Sequence, residues 1–172
     1  MIEVIEDFFP RRLIKEAYYY LDSYNGWHHL ADSPEDAHAY TLGRSFDPPE
    51  FEPIAHKFLE ILDVPVKKCL YNCFRHSDCP KPHVDSQVPQ GITYLIYVNP
   101  DWNIGMGGET IFINDETDTI LKSVSPKEGR MIKFQSIIPH LGRPPVRDAH
   151  PRRYSLVFQT HPTDSFSLGD IL

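Results

Sequence analysis

Three separated stretches of this 172-residue chain carry side chains that could together do chemistry: His83-Val84-Asp85, His140 and Arg153. A strand sends residues two apart to the same face, so a strand through His83 and Asp85 aims an imidazole and a carboxylate at one point. Two neutral imidazoles and one carboxylate cover one face of an octahedral iron(II), leaving three positions for a bidentate co-substrate and O₂. The third ligand must come from elsewhere. His140 is the natural candidate, because it follows the strand-like run Arg130-Met-Ile-Lys-Phe134, which the turn residue Gly129 introduces. His-x-Asp alone also describes a surface turn, and a histidine is by default solvated or hydrogen-bonded at the surface. Histidines 28, 29, 38, 56, 150 and 161 lack comparable framing and take that default.

Thirteen positions after His140, Arg153 opens the run Arg153-Tyr-Ser-Leu-Val-Phe-Gln-Thr160. As a strand, it places Tyr154, Leu156 and Phe158 on a face suited to packing against helices. Arg153, Ser155 and Val157 then form a semi-polar face suited to lining a pocket. Arg153 therefore points inward and Arg152 outward. A planar guanidinium grips a carboxylate through two parallel hydrogen bonds; a surface salt bridge is the ordinary alternative. In the run Ile92 to Val98, Thr93, Leu95 and Tyr97 share a face, so the Tyr97 hydroxyl could join the same carboxylate, or the ring could simply be core.

The elements that must position these groups are legible in outline. Residues 2–9 start as a short strand, and Pro10 leads into a helix to about Tyr24 whose Leu13, Ile14, Ala17 and Leu21 recur at helical spacing. Residues 28–49 carry turn chemistry and read as a surface loop. Residues 50–62 return to helical spacing through Phe51, Ile54, Phe58 and Ile61, ending at Asp63 to Pro65. Strands are expected at 67–74, 82–85, 92–98, 110–114, 120–124, 130–134 and 153–160. Two helices followed by many short strands imply an α+β, mainly β, domain: a sandwich or jelly roll backed by helices. The expected layout is one domain, with helical support over about residues 1–65, a β core over about 66–161, and a tail.

The order of these motifs over roughly residues 66 to 161 resembles the prolyl 4-hydroxylase-like branch of the iron(II)/2-oxoglutarate dioxygenases. It runs His83-Val-Asp85, Thr93-Tyr-Leu-Ile-Tyr-Val-Asn-Pro-Asp-Trp102, Gly107-Gly-Glu-Thr110, Gly129-Arg with Phe134 before His140, and Arg153-Tyr154. Glu6-Asp-Phe-Phe-Pro10 is similar to the family's usual entry into the domain. The resemblance implies a double-stranded β-helix, with His83, Asp85 and His140 as iron ligands and Arg153 with Tyr97 holding the co-substrate carboxylate. It implies Fe(II), 2-oxoglutarate and O₂, with stimulation by ascorbate, and hydroxylation with release of succinate and CO₂. A peptide or protein side chain is the expected substrate, and a small metabolite the alternative. Gly107-Gly108 would make the turn into the next strand. One departure stands out: many members place a tyrosine nine residues before the first ligand, where this chain has Phe74, with Tyr71 or Asn72 as candidate substitutes.

A competing metal reading uses Cys73-x-x-His76-x-x-Cys79-x-x-x-His83 as a zinc site, which would take His83 from iron. A non-catalytic binding module that keeps the fold is a third reading. The formal charge of −7 argues against phosphate-backbone binding and makes nucleic acid an unlikely partner. The apolar runs are too short to span a bilayer, and the first residues contain no apolar core of signal-peptide length. Three cysteines, an odd number, fit free thiols in a reducing cytoplasm. The segments 28–49 and 101–106 are the expected rim for substrate recognition.

Overall fold

The computed structural model describes residues 1–29, 42–78, 80–147 and 152–160. The expected C-terminal tail lies outside the described residues. The architecture is two antiparallel sheets with two helices packed on one of them. The larger sheet runs in the order β1 (Ile2–Ile5), β8 (Met131–Gln135), β5 (Ile92–Tyr97), β10 (Arg153–Thr160), β4 (Val66–Phe74), β3 (Leu42–Phe46), β2 (His28–His29). The smaller one runs β7 (Thr119–Val124), β6 (Thr110–Asn114), β9 (His140–Gly142). No helix among the described residues is long and apolar enough to cross a membrane.

Helix α1 (Arg11–Ser23) buries Leu13, Ile14, Ala17 and Leu21, the four residues that its periodicity singled out. Pro10 stands just before the first turn, and its carbonyl accepts from the Leu13 and Ile14 amides. Helix α2 (Pro53–Leu62) begins at a proline, whose missing N–H costs nothing there, and ends at Asp63 in the left-handed conformation. Its apolar stripe is Ile54, Ala55, Phe58 and Leu62, not the expected Ile61, which is exposed. Both helices lie on the face of the large sheet that carries Cys69, Tyr71, Cys73, Tyr154, Leu156 and Phe158. The opposite face meets the small sheet through a second core of Leu95, Tyr97, Phe112, Val124, Ile132, Phe134 and Val157. At about 2 kcal/mol per fully buried large side chain, the two cores together contribute well beyond the net stability of a typical domain before entropy is charged against it.

Three local expectations need correction. Residues 82–85 do not form a strand: His83 makes a single antiparallel bridge to His140, because Pro80 and Pro82 lack the N–H groups that a ladder requires. The expected loop 28–49 contains β2 and β3, which extend the open edge of β4, while its residues 30–41 lie outside the described residues. Strand β9 had no sequence counterpart, being three residues long between Pro139 and Arg143.

Candidate active site

His83, Asp85 and His140 come together although Asp85 and His140 are 55 positions apart in the sequence. The bridge sets His83 and His140 side by side, each donating its backbone N–H to the other's carbonyl at 3.0 and 2.9 Å. Their Nε2 atoms approach the Asp85 carboxylate at 3.9 Å from His83 and 3.7 Å from His140. One ligand atom from each of the three lies within 4.8 Å of the others, a spacing that a single metal ion can span. Among the described residues no other group of His, Cys, Asp or Glu side chains does this.

The surrounding bonds orient these ligands. His83 Nδ1 meets the Lys81 carbonyl at 3.1 Å and His140 Nδ1 the Ile138 carbonyl at 2.9 Å. A carbonyl only accepts, so each Nδ1 carries a proton, and Nε2 is the nitrogen turned toward Asp85 and available to a metal. Burial holds the His140 imidazole below its ordinary value, more than the Asp85 charge raises it, so the ring is neutral and ready to ligate near pH 7. Thr93 Oγ1 donates to Asp85 Oδ2 at 2.6 Å and lies 2.9 Å from Ser136 Oγ, which must then donate to it. The backbone amide of Asp85 is bound to the Ser136 carbonyl at 2.9 Å. Edge contacts of the Phe134 ring, 4.8 Å from the His140 ring, close that side.

A cavity of about 470 Å³ opens from the triad between the two sheets. Arg153 lines it, only 1% exposed, stacked between the rings of Phe74 at 4.5 Å and Tyr97 at 5.1 Å. Its Nη2 donates to Thr110 Oγ1 at 3.2 Å, whereas Nε and Nη1 are buried with no partner. A buried guanidinium with two unanswered donor groups is costly unless a ligand supplies the acceptor. Gly108, at φ +82°, leaves room for this side chain, since a Cβ there would lie 3.0 Å from Arg153 Cδ. Gly107 and Gly108 both hold positive φ, as the expected turn requires.

Tyr97 lies beside Arg153 but does not line the cavity. Its hydroxyl is 2.6 Å from Thr110 Oγ1 and donates to the Val124 carbonyl at 3.3 Å. One consistent chain of donors therefore runs from Arg153 through Thr110 and Tyr97 to Val124, and it is Thr110, not Tyr97, that reaches the cavity. At the position of the missing tyrosine, Phe74 gives Arg153 a ring face. Tyr71 packs with the helices, while Asn72 lines the cavity opposite Ser155.

Cys73 packs in the helix-side core, on the other face of β4 from Phe74 and the cavity, so it is not placed to share an ion with His83. Burial pushes its thiol up to about 11, as its place inside that core requires. Cys79 lies outside the described residues. Of the expected rim, Ser45 borders the cavity but residues 101–106 do not. Thr93, Thr110, Ser136 and Asn99 were not recognised as supporting groups. A polar residue inside an apolar strand, as Thr93 is in β5, was the available signal.

A family model described as the 2OG-Fe(II) oxygenase superfamily matches residues 69–161, more than half of the chain. The chain belongs to that superfamily. This oxygenase is accordingly an iron(II)- and 2-oxoglutarate-dependent dioxygenase with a double-stranded β-helix. Its fold is similar to that of a Pseudomonas putida prolyl-4-hydroxylase, with TM-score 0.74 and 17% identity over 93% of this chain and 92% of that one. It is also similar to a Trichoplax adhaerens prolyl hydroxylase in complex with a hypoxia inducible factor oxygen degradation domain peptide fragment. That match has TM-score 0.69 and 18% identity over 92% and 82% of the two chains. A third likeness is to the non-heme alpha ketoglutarate dependent epimerase SnoN from nogalamycin biosynthesis, at TM-score 0.65 and 10% identity over 92% and 77%. No curated protein sequence matches the chain.

The residues fit what the superfamily requires. Two imidazole nitrogens and one carboxylate are the donor set of a facial iron(II) site. The unanswered donors of Arg153 suit the distal carboxylate of 2-oxoglutarate.

Proposed function

We propose that this dioxygenase hydroxylates a peptidyl side chain, with His83, Asp85 and His140 holding the iron and Arg153 gripping the distal carboxylate of 2-oxoglutarate. The metal and co-substrate, when bound, supply O₂ activation: one oxygen atom leaves in succinate with release of CO₂, and the other enters a substrate C–H bond. The protein's part is placement. Thr93 and Ser136 fix the Asp85 carboxylate, the carbonyls of Lys81 and Ile138 fix the two imidazole tautomers, and Phe134 and Phe112 keep water from the His140 side. Tyr97 acts by holding Thr110 and Arg153 in register for the ligand. The whole chain serves as one catalytic domain.

The observation that carries this reading is a single cavity with a metal-ligating triad and, elsewhere on its wall, a buried guanidinium lacking acceptors. A peptide substrate is favoured over a small metabolite because the structural neighbour from Trichoplax adhaerens holds a peptide fragment. The test is succinate release from 2-oxoglutarate with Fe(II), ascorbate and O₂, together with a mass-spectrometric search of peptides and metabolites for gain of one oxygen. His83→Ala, Asp85→Ala and His140→Ala each abolish both signals. Iron-dependent turnover that survives in these variants refutes the assignment, and oxygen gained by metabolites alone refutes the peptide.

A further inference from the structure

The charge inside the cavity is opposite in sign to that of the chain. The sequence carries a formal charge of −7, yet the cavity is lined by the cations Lys68, Lys81 and Arg153 and by one acid, Asp85. Asp85 and the two carboxylates of 2-oxoglutarate together would offset a divalent ion and Arg153. Lys68 has no such counterpart: it is half-buried, faces the cavity, and has no hydrogen-bond or ion-pair partner among the described residues. A half-buried lysine on a cavity wall without a counter-charge is a place where an anion binds more strongly than it would in open water.

Register locates Lys68 relative to the rest. Gln159 of β10 pairs with Lys68 on one side and with Thr93 on the other, so the three lie on one rung of the sheet. Two strand spacings place Lys68 about 10 Å from Thr93, the residue that holds Asp85. Six residues along β10 separate this rung from Arg153, about 20 Å between backbones at the usual strand rise, and the other carboxylate of 2-oxoglutarate would go to the metal. The two cations therefore serve different anions. Gln159 and Ser45 also border the cavity near Lys68 and add neutral hydrogen-bonding groups.

We propose that Lys68, flanked by Gln159, is a substrate-selecting site for a carboxylate, so that the substrate presents an acidic group close to the C–H bond that is oxidised. The proposal rests on the hydroxylase reading only for what happens to the bound molecule. The carboxylate could be an acidic side chain of a peptide or the acid group of a free amino acid, and the test separates these sources. Protein loaded with Mn(II) and 2-oxoglutarate is incubated with end-capped peptides carrying a central proline flanked by Asp, Asn or Lys. A second pool holds free amino acids and their carboxamides. Bound members are separated by gel filtration and identified by mass spectrometry.

Wild-type protein retains Asp-flanked peptides about tenfold over Lys-flanked ones if the acid is a side chain, or free acids over carboxamides by a similar factor if it is a small molecule. Lys68→Gln removes the preference, and Lys68→Glu inverts it for the peptides; an unchanged thermal transition shows that each variant is folded. Equal retention of acidic and basic members by wild-type protein, or a preference that persists in Lys68→Glu, overturns the proposal. Inversion without succinate formation under Fe(II) leaves the anion site standing and sinks the hydroxylase reading instead.

Discussion

Replacing Arg153 by methionine removes the charge from a side chain that is 1% exposed while keeping an unbranched, polarisable body between the Phe74 and Tyr97 rings. In the ligand-free protein the guanidinium gains about 0.5–2 kcal/mol from each ring and about 1.5–3 kcal/mol from its Thr110 bond. Against this stands a burial cost of several kcal/mol, with Nε and Nη1 unanswered. The terms nearly cancel, so Arg153→Met should change ligand-free stability by less than about 1.5 kcal/mol. With 2-oxoglutarate bound the balance is different, because a buried bidentate pair lost from one side costs about 3–5 kcal/mol, or roughly two to nearly four orders of magnitude in affinity. Thermal denaturation with Mn(II), with and without co-substrate, reads both effects. At about 100 times the wild-type Kd, 2-oxoglutarate stabilises the wild-type protein by about 2.7 kcal/mol, a Tm rise of about 5–11 °C. Arg153→Met should show less than about 1.5 °C, and Arg152→Met the full rise. A wild-type rise in Arg153→Met would remove the anchor from the mechanism. A ligand-free loss above about 3 kcal/mol would make Arg153 a structural residue.

Thr93→Val deletes the 2.6 Å bond to Asp85 and should weaken Mn(II) binding by about 10- to 100-fold in a calorimetric titration; unchanged affinity would show that Asp85 is positioned by its backbone alone. Gly142→Ala drives a Cβ to within 2.2 Å of the Phe74 ring, so it should cost about 1–3 kcal/mol in urea unfolding and lower 2-oxoglutarate affinity through the displaced Arg153. Adding Phe74→Leu should recover part of both losses, and failure to do so would locate the strain elsewhere. Asn99→Ala leaves the Tyr154 amide and the Arg152 carbonyl without their side-chain partners, bonds of 2.6 and 2.7 Å. A loss of about 1–3 kcal/mol in denaturant unfolding is expected, and a neutral result would mean that water replaces the amide.

Ligand types and the faces of long strands were the legible part of the sequence. Strand β10 starts and ends at the residues that its alternation marked, and Arg153 and Tyr154 point to opposite sides as period two demands. The four buried positions of α1 were equally clear. Pairings whose energy comes from the partner rather than from the segment could not be read. Strand β9 has three residues and exists because β6 and His83 hydrogen-bond to it. Strand β3 contains Gly43 and Ser45, poor strand formers, and forms because the edge of β4 offers unpaired backbone groups. The expected strand at 82–85 failed for the opposite reason: its composition suggested extension, but its prolines cannot donate. For Tyr97 the strand face and the family resemblance point to the ligand, with a core ring as the alternative. Its actual bonds, to Thr110 and Val124, depend on a sheet contact that no local pattern encodes.

One strand register underlies both ends of the site. β10 lies between β4 and β5, with Arg153, Val157 and Gln159 toward the cavity and Tyr154, Leu156 and Phe158 toward the helices. A slip of one residue would bury Arg153 in the helix-side core and turn Tyr154 into the cavity, so the helices enforce the ligand geometry by rejecting a charge. Asn99 adds to this at the strand's first residues, where its amide substitutes for a ladder partner on the β5 edge, bonding the residues before and after Arg153. The same register sets the separation between Arg153 and the Lys68 rung, and hence the length of cavity shared between co-substrate and substrate. Packing on the helix side and chemistry on the cavity side are thus a single constraint, imposed through the alternation of eight consecutive residues.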